Sequence, residues 1–182
     1  MALLRMGRGV TTESQQTRQP TDPARWTFRP FGWGDVLAVS RWRYPGAYAQ
    51  ENMSLLASAS AALAHPLLNA LGMASFYVVY DEHGERVGIF SYIKRGDAIE
   101  IGLGLRPDLA GQRRGLGLAF VEAGLAFGRR RFAPKRFMLL VGAYNSRAQR
   151  VYGRAGFISV RTVTRAGDRG AAEFIEMTRD EQ

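Results

Sequence analysis

Residues 111–117 have the types and the spacing of a loop that binds phosphate. They read GQRRGLG and lie between an apolar segment with a strand pattern and an apolar segment with helical spacing. Glycines allow backbone N–H groups to approach an anion closely, and the N-terminus of the following helix attracts negative charge. Arg113 and Arg114 add positive charge that suits a phosphate. The loop is therefore predicted to hold a phosphate-bearing ligand.

Two common types of phosphate loop are excluded by the residues that surround this one. A Walker A loop requires lysine and then serine or threonine after its last glycine, but Gly117 is followed by Leu118. A dinucleotide-binding GxGxxG motif requires glycines where Pro107 and Phe120 stand. The pattern that remains is Q/R-x-x-G-x-G/A over residues 112–117.

Four elements must position this loop and the residues that follow it. They are predicted as a strand over 98–107, a helix over 115–132, a strand over 136–144 and a short helix over 146–157. Asn145 precedes the short helix, where asparagine is favoured as an N-cap. Gly102 and Gly104 in the first strand indicate a bulge or a close approach of another group to the backbone.

The rest of the chain supplies further strands and helices. The pattern predicts a strand over 25–31, helices over 34–44 and 54–72, a hairpin over 75–93, and two last strands over 158–167 and 172–179. This order predicts an α/β (α+β) domain with a mixed, mostly antiparallel central sheet flanked by helices.

Composition limits the class of protein. The chain has 182 residues, no cysteine and two histidines, so neither a disulfide framework nor a metal site is predicted. Residues 1–23 are expected to form a flexible tail and residues 24–182 one domain. The sequence has no signal-peptide pattern and no apolar run of membrane-spanning length, so a cytoplasmic protein is expected.

Three motifs together resemble those of the GNAT superfamily of N-acetyltransferases. The segment 112–117 is similar to the family's loop for the pyrophosphate of acetyl-CoA, although the chain from Pro107 to Gln112 is two residues longer than usual. Residues 105–107 resemble the end of its fourth strand, and residues 145–157 match N-x-x-A-x-x-x-Y-x-x-x-G-F. Residues 40–48 and the fourth strand also resemble a branch near the ribosomal-protein-alanine acetyltransferases.

The resemblance implies a fold and a reaction. The fourth and fifth strands would splay apart at a bulge and admit an acyl-pantetheine, which pairs with the exposed backbone. Backbone N–H groups near Leu103–Leu105 would polarise the thioester carbonyl, and a neutral amine would attack directly. Tyr152 would act as the catalytic acid, because a phenol with a pKa of ~10 can protonate a thiolate whose conjugate acid has a pKa near ~8.5.

The resemblance also implies the ligands and the residues that bind them. The implied cofactor-binding residues are Leu105, Arg106, Pro107, Gln112, Arg113, Arg114, Gly115, Leu116, Gly117 and Asn145. Acetyl-CoA would be the donor, no metal is implied, and the acceptor would be a primary amine on a protein N-terminus or a small molecule. A homodimer is compatible with the family, whereas neither a membrane nor a nucleic acid is expected as a partner.

Several alternatives remain open from the sequence. The same fold could bind an acyl-CoA without catalysis, as a sensor or partner module. Eleven basic and two acidic residues lie between Arg106 and Arg154, a charge balance that would also suit a nucleic-acid-binding domain. Glu100 is a candidate base, but alternation directs its side chain to the face opposite Leu105. Trp42, Tyr44 and Tyr48 are aromatic residues of either the core, a dimer contact or the acceptor pocket.

Overall fold

The protein forms one mixed sheet with helices on both faces. The computed structural model describes residues 26–51, 67, 70, 72, 74–111, 115–167 and 170–181. The strands are β1 (Thr27–Pro30), β2 (Ala74–Tyr80), β3 (Arg86–Arg95), β4 (Ala98–Leu105), β5 (Arg136–Gly142), β6 (Ile158–Gly167) and β7 (Gly170–Asp180). The helices are α1 (Trp33–Ser40), α2 (Leu116–Phe132) and α3 (Ser146–Arg154), with a 3-10 helix over Gly46–Glu51.

The sheet has seven strands in the order β1-β2-β3-β4-β5-β7-β6. Among the strands that the structure describes, only the β4–β5 pair is parallel, because α2 connects these two strands across one face, and every other neighbouring pair is antiparallel. The predicted fold class, with a mostly antiparallel central sheet flanked by helices, is confirmed.

The main core lies between the sheet and helices α2 and α3. Alternation along β4 and β5 directs Ile99, Ile101, Phe137 and Leu139 to this face, where each is almost fully buried. The Tyr92 side chain reaches across to α2, and its hydroxyl donates a hydrogen bond to the carbonyl of Gly124 at 2.8 Å. Burial raises the pKa of this phenol well above its ordinary value.

Helix α1 covers part of the opposite face of the sheet through a smaller core. Val36 and Val39 pack there with Phe31 and Val78. Asp35, the acidic residue of this helix, is buried, and both oxygens of its carboxylate have hydrogen-bond donors. Its carboxylate accepts hydrogen bonds from the Tyr80 hydroxyl and the Arg86 guanidinium at 2.8 Å each, and from the Gly32 N–H at 3.1 Å.

This cluster around Asp35 changes the acidity of its neighbours. The hydrogen bond to Asp35 raises the pKa of the Arg86 guanidinium above its ordinary value, in spite of partial burial. Burial, followed by the hydrogen bond to the same carboxylate, raises the pKa of Tyr80. The cluster therefore joins α1 to β2 and β3 as a neutral tyrosine and an ion pair.

The structure corrects two of the sequence predictions. The helix predicted over 34–44 ends at Ser40, because the Arg43 side chain donates to the Ser40 carbonyl and the chain turns away before Pro45. The β3–β4 ladder runs without a register shift, so the bulge expected in β4 is wrong. The other expectation for Gly102, a close approach of another group to the backbone, is confirmed. A Cβ at this position would lie 2.5 Å from the hydroxyl oxygen of Ser91.

Some predictions cannot be compared with the structure. The tail over 1–23 and most of the helix predicted over 54–72 lie outside the described residues. Among the helices that the structure describes, none is long and apolar enough to cross a membrane. Within the same described part of the chain, His, Asp and Glu form no group suited to holding a metal ion.

We expect Asp35→Asn to lower the free energy of unfolding by about 2 kcal/mol, since charged hydrogen bonds to the Arg86 and Tyr80 side chains are lost. The matched control is Asp97→Asn, which breaks an ion pair with Lys135 that is largely exposed on both sides and should cost close to zero. Urea denaturation measures both variants. Equal stability of the two would contradict the role assigned to Asp35.

Candidate active site

The site is a gap in the sheet where β4 and β5 separate. The two strands pair only through Ala98, Ile99 and Glu100, opposite Arg136, Phe137 and Met138. Strand β5 is held along its full length by β7 on its other side, whereas β4 continues to Leu105 paired with β3 alone. The predicted splaying of the fourth and fifth strands is confirmed, and it arises from this difference in partners.

Backbone groups of β4 face the gap. The N–H of Arg106 donates to the Val87 carbonyl at 2.8 Å, so even-numbered residues of β4 are those that bond to β3. Antiparallel alternation therefore directs the N–H and C=O groups of Leu103 and Leu105 away from β3, toward the gap. The Leu105 carbonyl accepts a hydrogen bond from the Tyr44 hydroxyl at 2.6 Å.

The gap opens into a cavity of about 520 Å³ that reaches both faces of the sheet. On one face its lining is an aromatic wall, formed by the side chains of Phe31, Trp42, Tyr44, Tyr48 and Phe76 together with the aliphatic Ile89. On the other face the lining comes from the start of α2 and from α3, with Gly115, Gly117, Leu118, Phe120, Val121, Asn145, Arg147, Ala148, Val151, Tyr152 and Arg154. The cavity thus connects two different environments through the sheet.

Helix α2 begins at this cavity, as the phosphate-loop prediction requires. Gly115 precedes its first residue with φ 87°, a left-handed conformation that favours glycine. Gly115 and Gly117 line the cavity together with Leu105. Leu116 is buried in the main core instead, so its predicted contact with a ligand is limited to its backbone.

The remaining predicted residues of the loop have other environments. The Arg106 side chain binds Asp108 at 2.7 Å and the Arg86 carbonyl at 2.9 Å, so it stabilises the end of β4. Pro107 lies in the turn that follows, where its carbonyl accepts from the Ala110 N–H. Neither of these two residues is part of the cavity lining. Gln112, Arg113 and Arg114 lie outside the described residues.

Helix α3 and its N-cap present the two site residues predicted from the motif over 145–157. Asn145 is buried and caps this helix, its side-chain oxygen accepting from the Ala148 N–H at 3.1 Å. Tyr152 lies two turns later, half-buried, with its ring edge-to-face against Phe157 at 6.1 Å. Both side chains line the cavity. The structure therefore brings together the residues of the two motifs at one site.

The candidate base Glu100 is not part of the cavity. Its carboxylate binds the Arg95 guanidinium at 2.8 Å, and it lies on the same face of β4 as Gly102 and Gly104, as alternation predicts. Of the residues that the structure describes, none that lines the cavity is an aspartate or a glutamate.

The sequence reasoning missed Arg147. Its guanidinium lies 4.6 Å from the ring centre of Tyr48 and donates to the Ala110 carbonyl at 3.4 Å, which joins α3 to the 3-10 helix and to the loop after β4. A cation in the first turn of a helix opposes the helix dipole. That unfavourable placement is the signal in the sequence that could have identified it.

Comparison with known proteins agrees with this geometry. The family model described as "Acetyltransferase (GNAT) domain" matches residues 21–158. No curated protein sequence matches the chain.

Solved structures with the same fold include enzymes with two kinds of acceptor. A chimera of the Vibrio cholerae spermidine N-acetyltransferase SpeG and hSSAT has a TM-score of 0.69 at 16% identity, covering 86% of this chain and 95% of its own. The acetyltransferase that modifies the N-terminal serine of ribosomal protein L7/L12 in Salmonella typhimurium has a TM-score of 0.69 at 18% identity, covering 87% and 96%. The Vibrio cholerae spermidine N-acetyltransferase bound to CoA and spermine has a TM-score of 0.63 at 15% identity, covering 85% and 95%. At these identities the likeness shows the fold.

We expect Tyr44→Phe to lower the free energy of unfolding by about 1 kcal/mol and to speed amide exchange over residues 103–106, because the Leu105 carbonyl loses its donor. Tyr48→Phe is the matched control, since the Tyr48 hydroxyl makes no hydrogen bond to a described residue. Hydrogen–deuterium exchange and urea denaturation give the two readouts. If both variants behave alike, the bond to Leu105 does not hold the end of β4.

Proposed function

The chain belongs to the family of GNAT acetyltransferases and is an acyltransferase, and from that premise we propose that it transfers the acetyl group of acetyl-CoA to a primary amine. The observation that carries this proposal is the gap beyond Glu100 and Met138, which leaves one edge of β4 without a partner strand. An extended pantetheine arm can pair with such an edge in the way an added strand does. The cavity then gives the acetyl group access to the aromatic wall on the other face.

Backbone N–H groups of β4 would stabilise the reacting carbonyl. The N–H groups of Leu103 and Leu105 face the gap, and the Leu105 carbonyl is already occupied by Tyr44. The edge therefore offers donors next to the thioester, as an oxyanion site requires. Because these donors belong to a continuous ladder with β3, they need little reorganisation when charge develops on the oxygen.

The chemical step is direct attack of the neutral amine. The nitrogen forms a bond to the acetyl carbon, the carbon–sulfur bond breaks, and the nitrogen loses a proton to solvent. The departing thiolate receives a proton from the Tyr152 hydroxyl, which later recovers one from water. The products are an N-acetyl amide and CoA with a free thiol, and no residue of the protein forms a covalent intermediate.

The phosphates of the cofactor would lie at the start of α2. Gly115 and Gly117 keep side chains away from the helix N-terminus, which favours an anion there. We propose that Gln112, Arg113 and Arg114 contribute from the loop, and that Asn145 contacts the pantetheine while capping α3. Arg106 and Pro107 shape the loop rather than touch the ligand, given the partners of the Arg106 side chain.

The acceptor is proposed as a primary amine on a protein N-terminus or on a small molecule. Both kinds occur among proteins with this fold, in the ribosomal-protein and spermidine enzymes described above. We further propose that residues 24–182 form the catalytic domain, and that the protein is cytoplasmic and compatible with a homodimer.

Acetyl-CoA should raise the midpoint of thermal unfolding, whereas ATP and NAD should leave it unchanged. A ligand present at 100 times its dissociation constant adds about 2.7 kcal/mol to the free energy of unfolding. Differential scanning fluorimetry at several ligand concentrations measures this shift. Equal shifts with all three compounds, or none with acetyl-CoA, would contradict the assignment of the loop.

Tyr152→Phe should lower kcat by about 10²-fold or more with little change in KM for acetyl-CoA, because only the acid is removed and the ring contact with Phe157 is kept. Release of CoA thiol in the steady state measures both constants. Tyr144→Phe removes a hydroxyl from a tyrosine outside the cavity lining and should leave kcat within about twofold. An unchanged kcat in Tyr152→Phe would reject the phenol as the acid.

A further inference from the structure

The carboxylates near the aromatic wall are already neutralised by arginines. Asp35 under α1 binds Arg86, and Glu100 on β4 binds Arg95, each at 2.8 Å. Further along the same face of the sheet, Glu176 of β7 binds Arg161 of β6 at 2.9 Å. All three carboxylate side chains are at most 15% exposed. None of them is available to bind a cationic ligand without breaking an ion pair.

The charged residues that line the cavity are positive. They are Arg147 and Arg154 of α3, and neither forms an ion pair with a carboxylate whose side chain the structure describes. Residues 52–73, between the 3-10 helix and β2, contain no aspartate or glutamate. The described lining therefore combines an apolar aromatic surface on one face of the sheet with two arginines on the other.

Such an environment acts on an amine through the loss of water. Removal from water disfavours the ammonium form, so it lowers the pKa of a bound amine and increases the neutral fraction that can attack. This explains how the amine can react where no described carboxylate acts as a base. A second ammonium group on the same molecule would gain nothing and would lose its hydration without a counter-ion.

We propose that the acceptor is a monoamine whose primary amine is joined by a short chain to an aromatic or bulky apolar group, and that the site discriminates against polyamines. The inference rests on the proposed acetyl transfer and specifies its acceptor. The aromatic wall supplies the surface for the apolar group, with Trp42 and Phe76 positioned to contact it next to Gly102 and Gly104. Both glycines line the cavity, and Gly102 is exposed there.

Two kinds of acceptor carry a primary amine next to an aromatic group, namely an arylalkylamine and a peptide that begins with an aromatic residue. The experiment compares 2-phenylethylamine, the peptide amide Phe-Ala-NH2 and spermidine as acceptors for the full-length protein at saturating acetyl-CoA. CoA thiol release measures kcat/KM for each. We expect at least one of the aromatic amines to exceed spermidine by 10-fold or more, and the better of the two identifies the kind of acceptor.

Trp42→Ala tests whether the aromatic wall causes this preference. It should lower kcat/KM for the preferred aromatic amine by 10-fold or more while the dissociation constant for acetyl-CoA stays within about twofold. The matched control is Trp33→Ala, since Trp33 lies on α1 but is 64% exposed and outside the cavity lining. Trp33→Ala should retain the kcat/KM of the unmodified protein.

The outcomes separate this inference from the proposed function. If spermidine is the better acceptor, the monoamine proposal is overturned while acetyl transfer stands. An equal effect of Trp42→Ala and Trp33→Ala would also overturn it. If acetyl-CoA binds but no amine is acetylated, the proposed transferase function itself fails, and the acceptor inference with it.

Discussion

The unequal pairing of β4 and β5 is the constraint on which the rest of the site depends. Strand β5 satisfies its backbone along its length with β7, so it does not follow β4 beyond Met138. Strand β4 is in turn held by an unbroken ladder with β3. One edge of β4 is left with polar backbone groups inside an otherwise packed molecule, where an unsatisfied group is costly. In the proposed reaction, a ligand that pairs with that edge removes this cost.

Arginine has two distinct roles around this gap. On the face of α1, arginines neutralise buried or half-buried carboxylates, and the ion pair of Asp35 with Arg86 ties a helix to two strands. On the face of α3, Arg147 has an aromatic ring and a carbonyl as neighbours instead of a carboxylate. The first role gives stability, and the second leaves positive charge in the cavity. The overall charge of +9 does not distinguish these roles, because it counts both alike.

Most elements and several residues of the cavity lining were predictable because local patterns encode them. The hairpin of β2 and β3, helix α2 and strand β5 follow period and turn signals that depend on neighbours in the sequence. Gly115, Asn145 and Tyr152 were found from motif spacing, and the structure places all three at the cavity. The predicted end of α1 was wrong. The Arg43 side chain donates a hydrogen bond to the Ser40 carbonyl at that point, and no periodic pattern in the sequence indicates this bond. The bulge in β4 was wrong because glycine alone does not distinguish a bulge from room for Ser91.

The sequence by itself determined the class of the fold, the position of the loop before α2 and the residues of the α3 motif, since each depends on residues close together along the chain. Only the tertiary structure decided which aromatic residues face the cavity and that Glu100 is paired with Arg95. The tertiary structure also identified the Tyr44 hydroxyl as the donor to the Leu105 carbonyl, a hydrogen bond between residues 61 positions apart in the sequence. Contacts of this kind depend on strand order and register. These are set by which strands pair with β5 along each of its edges, and no local sequence pattern indicates that pairing.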